Sequence, residues 1–159
     1  MKITLITVGK IKEAYFSQAI AEYSKRLGRY AQLKIEEVPD EKTDENMSLT
    51  ETERLLEREG RRILDKIPER ARVIALAIKG RTYSSEALAD HLQGYMIGGE
   101  SHLVFIIGGS LGLSREVMQR ADEALSFSPM TFPHQLMRVI LLEQIYRSFR
   151  IIRHEPYHK

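Results

Sequence analysis

The sequence predicts an α/β protein in which a parallel sheet is flanked by helices on both faces. Three observations carry this. Apolar, β-branched runs alternate with amphipathic helical stretches five times along the 159 residues; glycine, proline and serine punctuate the alternation; and no repeat, low-complexity tract or linker divides the chain. The length suits one domain, residues 1–159, with a core large enough to need no disulfide or structural metal.

Taken in order, Lys2 to Val8 is an apolar run ended by Gly9, a buried strand. From Glu13 to Leu27, Phe16, Ala19, Ile20, Tyr23 and Leu27 recur at spacings of three and four, and Gly28 stops the helix. Leu33 to Val38 is a second strand before Pro39, and 40–46 is a polar loop. Ser48 caps a charged helix running to about Lys66 with a narrow stripe of Leu55, Leu56, Ile63 and Ile67. Val73 to Ile78 is a third strand, expected to end at Lys79-Gly80. Ser84 or Ser85 caps a helix through about Tyr95. Leu103 to Ile107 is a strand entering Gly108-Gly109-Ser110-Leu111-Gly112, and Ser114 opens the next helix. Ala124 to Phe127 is a short fifth strand, and Pro133 suits the first position of a long helix reaching about Arg153. The apolar residues of that last helix, Ile145 among them, wrap too far round for one core-facing stripe, which predicts a second buried face and a homodimer.

Composition removes whole classes of chemistry. Hydrophobic residues make up 43% and charged residues 29%, which excludes a disordered adaptor. Without cysteine there is no disulfide framework, thiol nucleophile, iron–sulfur cluster or cysteine zinc site, and no metal is expected. No apolar run approaches the roughly 18 residues of a membrane span, and MKITLITVGK is too short for a signal peptide. The expectation is a cytoplasmic protein with no membrane association. Residues 36–69 hold 12 acids and 6 bases, leaving 18 bases against 10 acids elsewhere. That basic remainder can meet a polyanion, although solvated charge alone would produce the same count.

In an open parallel sheet, ligands bind beyond the carboxyl ends of the strands. Four such ends are unusual here: Gly9-Lys10, Lys79-Gly80, the glycine loop at 108–112, and Ser128 to Pro133. The glycine loop matches neither GxGxxG nor GxxxxGK[ST], so a phosphate cradle has no specific motif behind it and a tight strand-to-helix turn is the plainer reading. The segment Ser128-Pro129-Met130-Thr131-Phe132-Pro133 has two prolines that keep its peptide groups out of a regular ladder, free to bond the edge of a planar ligand such as an adenine. A rigid connector is the plainer alternative. His134 and Arg138 are four apart at the start of the last helix, so an uncharged imidazole and a phosphate-gripping guanidinium can share a face, as can an ordinary surface pair. The tail 154–159, with Arg147, Arg150 and Arg153 before it, mixes cations with Tyr157, a combination suited to RNA and also to a frayed terminus.

VGK near the N-terminus, FIIGGSLGLS, LSFSPMTFPHQLMRVILLEQIYRSFRI and the terminal EPYHK together resemble the ribosomal RNA large subunit methyltransferase H family, small single-domain SPOUT methyltransferases. The resemblance spans essentially the whole chain. It implies a SPOUT-type fold with a C-terminal trefoil knot, a homodimer, S-adenosyl-L-methionine as methyl donor, and methylation of N3 of a pseudouridine in 23S ribosomal RNA within the ribosome. It also implies a donor pocket at Leu76, Gly108, Phe127, Ser128, Pro129, Met130, Thr131 and Phe132. The implied active site is composite: His134 and Arg138 of one subunit are joined by Tyr157, His158 and Lys159 of the other. Two alternatives use the same architecture or charge: a flavodoxin-like nucleotide-binding carrier, and a non-catalytic ribosome-binding protein.

Overall fold

The structure is a computed structural model describing residues 1–159. It contains five strands and five helices in strict alternation: β1 (Lys2–Val8), α1 (Ala14–Leu27), β2 (Gln32–Val38), α2 (Leu49–Leu64), β3 (Arg72–Thr82), α3 (Ser85–Ile97), β4 (His102–Ile107), α4 (Arg115–Arg120), β5 (Glu123–Ser126) and α5 (His134–Ile152). The strands form one parallel sheet in the order β2-β1-β4-β3-β5.

Side-chain alternation along the central strands divides the interior in two. Ile3 and Leu5 of β1 and Leu103, Phe105 and Ile107 of β4 face one cluster, shared with α1, α3 and α5. Ile6 and Val8 of β1 and Val104 and Ile106 of β4 face the other, covered by α2 and α4. Both faces are therefore buried, which is why these strands read as continuous apolar runs rather than alternating ones. No helix is long and apolar enough to cross a membrane.

Local chemistry fixes the helix starts. Ser48, Ser84 and Ser114 each accept a backbone N–H from three residues on, and Glu51 returns a bond to the Ser48 N–H to close a capping box. Two boundaries differ from expectation. Strand β3 does not stop at Lys79-Gly80 but continues to Thr82. After Ala75 it leaves β4, and both Leu76 and Arg81 then pair with Leu125 of β5 across an irregularity. Gly80 permits this, because a Cβ there would lie 2.7 Å from the backbone of Ala124 and Leu125. Pro133 is the N-cap rather than the first helical residue, with ψ of 132°.

Helix α5 corrects a third expectation. Ile145 is 1% exposed and points into the first core, not outward. Flanked by α1 and α3, α5 buries Leu141, Leu142, Tyr146 and Phe149 within its own chain. The outward row at helical spacing is Leu136, Ile140, Glu143, Arg147 and Ile151, all half-buried.

Candidate active site

The carboxyl ends of β1, β4 and β5 lie on one edge of the sheet, as parallel pairing requires. Leu76 stands where β3 parts from β4, and with Phe127 it packs against the first core. The glycine loop after β4 folds on itself: Gly109 and Gly112 form an isolated bridge, the Gly112 N–H donating to the Gly109 carbonyl at 3.1 Å. Gly108 is required by that closure, since a Cβ would sit 2.4 Å from the Gly112 carbonyl oxygen. The tight turn thus accounts for this glycine before any ligand is invoked.

The segment Phe127 to Phe132 makes no backbone–backbone hydrogen bond. Its internal ties run through hydroxyls: Ser126 donates to the Ser128 carbonyl at 3.2 Å, and Ser128 Oγ accepts from the Met130 N–H at 3.0 Å. Pro129, Met130 and Thr131 are exposed. The peptide groups of Phe127, Thr131 and Phe132 are therefore open to a ligand on a backbone stiffened by Pro129 and Pro133, and they suit the hydrogen-bonding edge of a purine.

His134 opens α5 and is half-buried. Burial, reinforced by the nearby Arg138 and Lys12 cations and only partly opposed by Asp40, holds its pKa below the usual histidine range. The imidazole is accordingly uncharged at neutral pH and able to accept a proton.

Arg138 does not grip an outside phosphate as the shared helical face suggested. It is 1% exposed. Its Nη1 donates to Glu37 Oε2 at 2.8 Å, and its Nη2 donates to the carbonyls of Val8 and Gly9 at 2.9 and 2.8 Å. Burial lowers its pKa despite the Glu37 carboxylate, yet a guanidinium keeps its charge in any such setting. It therefore fastens α5 to the carboxyl ends of β1 and β2, beneath the site rather than in it.

Tyr157 and His158 lie elsewhere. His154, with φ of 54°, ends α5 in a left-handed cap. The N–H groups of His154 and Glu155 donate to the carbonyls of Ile151 and Arg150, the Schellman pattern that glycine usually provides. The tail consequently folds back on α5. Tyr157 donates to Glu143 at 3.0 Å, with the Arg147 guanidinium 4.6 Å from its ring centre. His158 bonds Arg147 at 3.2 Å and Glu86 at 2.7 Å. Burial and the Glu143 carboxylate push the Tyr157 phenol up to about 12, so it donates rather than accepts a proton near neutrality. Lys159 is exposed at the end. Glu37 and Glu143, which organise these two clusters, were not singled out from sequence. The Glu143–Arg147 spacing of four is the one local signal that pointed to either.

Residues 1–158 match the family described as "Predicted SPOUT methyltransferase". The chain belongs to the SPOUT methyltransferase family. Among solved structures it is similar to one described as "the putative methyltransferase Lpg2936 from Legionella pneumophila in complex with the bound cofactor SAM", with 13% sequence identity and a TM-score of 0.51. That similarity covers 94% of this chain and 66% of the other, and at such identity it speaks for the fold. Membership of the SPOUT family removes the flavodoxin-like carrier as an alternative.

Proposed function

We propose that this SPOUT methyltransferase uses S-adenosyl-L-methionine to methylate N3 of a pseudouridine in 23S ribosomal RNA. In this reading it works as a cytoplasmic homodimer of the ribosomal RNA large subunit methyltransferase H type. The family assignment and the open peptide groups of Phe127, Thr131 and Phe132 support the donor. Bound there, the donor supplies a methyl group on a sulfonium, an activated leaving group for in-line displacement. Leu76 and Phe127 provide an apolar wall, and the proline-bounded segment holds its peptide groups toward the purine. The acceptor nitrogen loses its proton as the new N–C bond forms. His134, uncharged at neutral pH, is the group able to take that proton, whereas the phenol of Tyr157 is held protonated. The protein's main contribution is alignment and exclusion of water.

One observation carries the composite site. His134 begins α5, while Tyr157 and His158 pack around Arg147, 13 positions later on the same helix. At 1.5 Å per residue that is about 20 Å. Side chains of one chain so placed do not share a substrate base, and a second copy brings its tail to the first copy's His134. The half-buried apolar row at Leu136, Ile140 and Ile151 favours such pairing.

The test is incubation of the protein with methyl-labelled donor and ribosomes or large subunits, followed by nucleoside analysis of the RNA. N3-methylpseudouridine in 23S RNA is the expected product. Donor binding by calorimetry without any RNA-borne label would keep the methyltransferase and reject this substrate.

A further inference from the structure

We propose that the concavity at the opposite, amino-terminal edge of the sheet is a second RNA contact, a groove for the sugar-phosphate backbone of a strand held by the C-terminal tail. This rests on the RNA methyltransferase reading above. The groove encloses about 600 Å³ between the starts of β1, β2 and β4. Lys2, Arg29 and Arg70 line it, and no Asp or Glu does. None of the three has a carboxylate within ion-pair distance, although the neighbouring Arg72 and Arg150 pair with Glu100 and Glu155. Arg29 feels the Glu155 carboxylate at longer range, but with no ion pair formed, like charges around one concavity repel each other and create a potential that an anion relieves.

Tyr30 joins the groove to the tail. Tyr30 is a lining residue of the groove, while its ring stacks on Phe149 at 5.4 Å under the Arg153 guanidinium, 5.2 Å from the ring centre. Its hydroxyl donates to Glu155 and accepts from Arg150 at 3.1 Å. A strand leaving the tail therefore passes Arg153 on its way to the cations of the groove, with Glu155 already held by Arg150 and Tyr30 between them, and spaced cations along such a path suit a phosphate backbone. The three cations come from separate segments: the start of β1, the turn after α1 and the loop before β3. A lone phosphate is gripped by donors that converge on it, whereas a polyphosphate backbone suits cations that are spread apart. His102, bonded to Thr4 at 2.8 Å and held uncharged by burial and by Lys2, adds a polar wall without charge.

The experiment measures binding of a fluorescent, mixed-sequence, short single-stranded RNA by anisotropy across a salt series. The double variant Arg29→Glu/Arg70→Glu is expected to bind about tenfold more weakly, with the salt slope reduced by about 1.4 for two lost phosphate contacts. A control, Arg54→Glu/Arg115→Glu on the α2–α4 face, makes the same change in net charge and should lose much less. Equal losses in both variants, or none in either, overturn the groove, as does a wild-type protein that binds no RNA. Potassium phosphate that displaces RNA better than potassium chloride at matched ionic strength also overturns it, in favour of a single-anion pocket. Should the charge reversals fail to fold, Arg29→Gln/Arg70→Gln, which loses the same two contacts, is read in the same way with the same slope change of about 1.4. Methyl transfer is assayed separately on wild type. Its absence beside a selective loss of RNA binding rejects the enzymatic reading and leaves the groove standing.

Discussion

Replacing Arg138 separates a positioning role from a catalytic one. In Arg138→Ala the carbonyls of Val8 and Gly9 lose a buried charged donor, and a fully buried side chain becomes a cavity. Each orphaned carbonyl costs on the order of 1–3 kcal/mol, and losing the aliphatic stem adds to this. Two effects offset the sum: the desolvation of a buried guanidinium is relieved, and Glu37, whose side chain is 41% exposed, rehydrates. The net loss is about 3 kcal/mol. With a urea slope of about 2 kcal/mol/M, the midpoint falls by roughly 1.5 M. Arg138→Met, which keeps the stem, should lose about 2 kcal/mol, and a cycle with Glu37→Gln should couple by about 1 kcal/mol. Donor affinity, measured by calorimetry on protein still folded, should drop several-fold because Gly9 and the start of α5 shift together. If Arg138→Ala is as stable as wild type within about 0.5 kcal/mol yet loses transfer about a hundredfold or more, the guanidinium turns outward to the substrate and the reasoning fails.

Four further outcomes are expected. Gly80→Ala forces a Cβ into the β5 backbone and should lower the melting temperature by about 10 °C or prevent folding, read by calorimetry; an unchanged melt would mean that β3 and β5 separate freely. Glu59 is 4% exposed, and burial raises its pKa. Its contribution is thus largest at acid pH and is lost as pH rises through the raised value. Glu59→Gln should stabilise the protein at pH 7.5 in urea titrations and lose that advantage near pH 4. Ile140→Asp, on the outward row of α5, should give folded monomers by sedimentation, whereas Ile145→Asp should unfold the chain because its carboxylate enters the core. Deleting 156–159 should leave donor affinity nearly unchanged while turnover falls by orders of magnitude. Mixing that variant with His134→Ala should restore activity if the tail works across the dimer, and no recovery after proven subunit exchange would place the tail in its own subunit's site.

All ten elements were legible in the sequence because their signals are local. A β-branched run reads as a strand whatever it pairs with, and Ser48, Ser84 and Ser114 mark helix starts through bonds spanning three residues. Misread features depend on distant partners. Lys79-Gly80 resembles a strand end, and only the close passage of β5 more than 40 residues later makes it strand. Ile145 resembles a dimer contact on a helical wheel, because the wheel does not show α1 and α3 closing both sides of α5. The site was legible to the same degree. The proline-bounded segment stood out by composition, whereas Arg138 turning to Glu37, 101 residues earlier, and the tail folding back through a left-handed histidine left no local trace.

The strand order also sets a timetable for synthesis. β1 occupies an interior position, yet its second neighbour is β4, whose first residue comes about 100 positions after its own. When α1 and β2 have formed, β1 still presents an unpaired edge carrying Ile3, Leu5 and Ile6. At about 5–20 residues per second, the interval between the end of β2 and the start of β4 is roughly 3–13 s. Throughout that interval the nascent chain holds an open, apolar strand edge, the kind of surface that recruits another strand. The protein's hazard is therefore concentrated before residue 102 emerges, and a chaperone that shields the first third of the chain would raise its yield more than one acting on the finished fold.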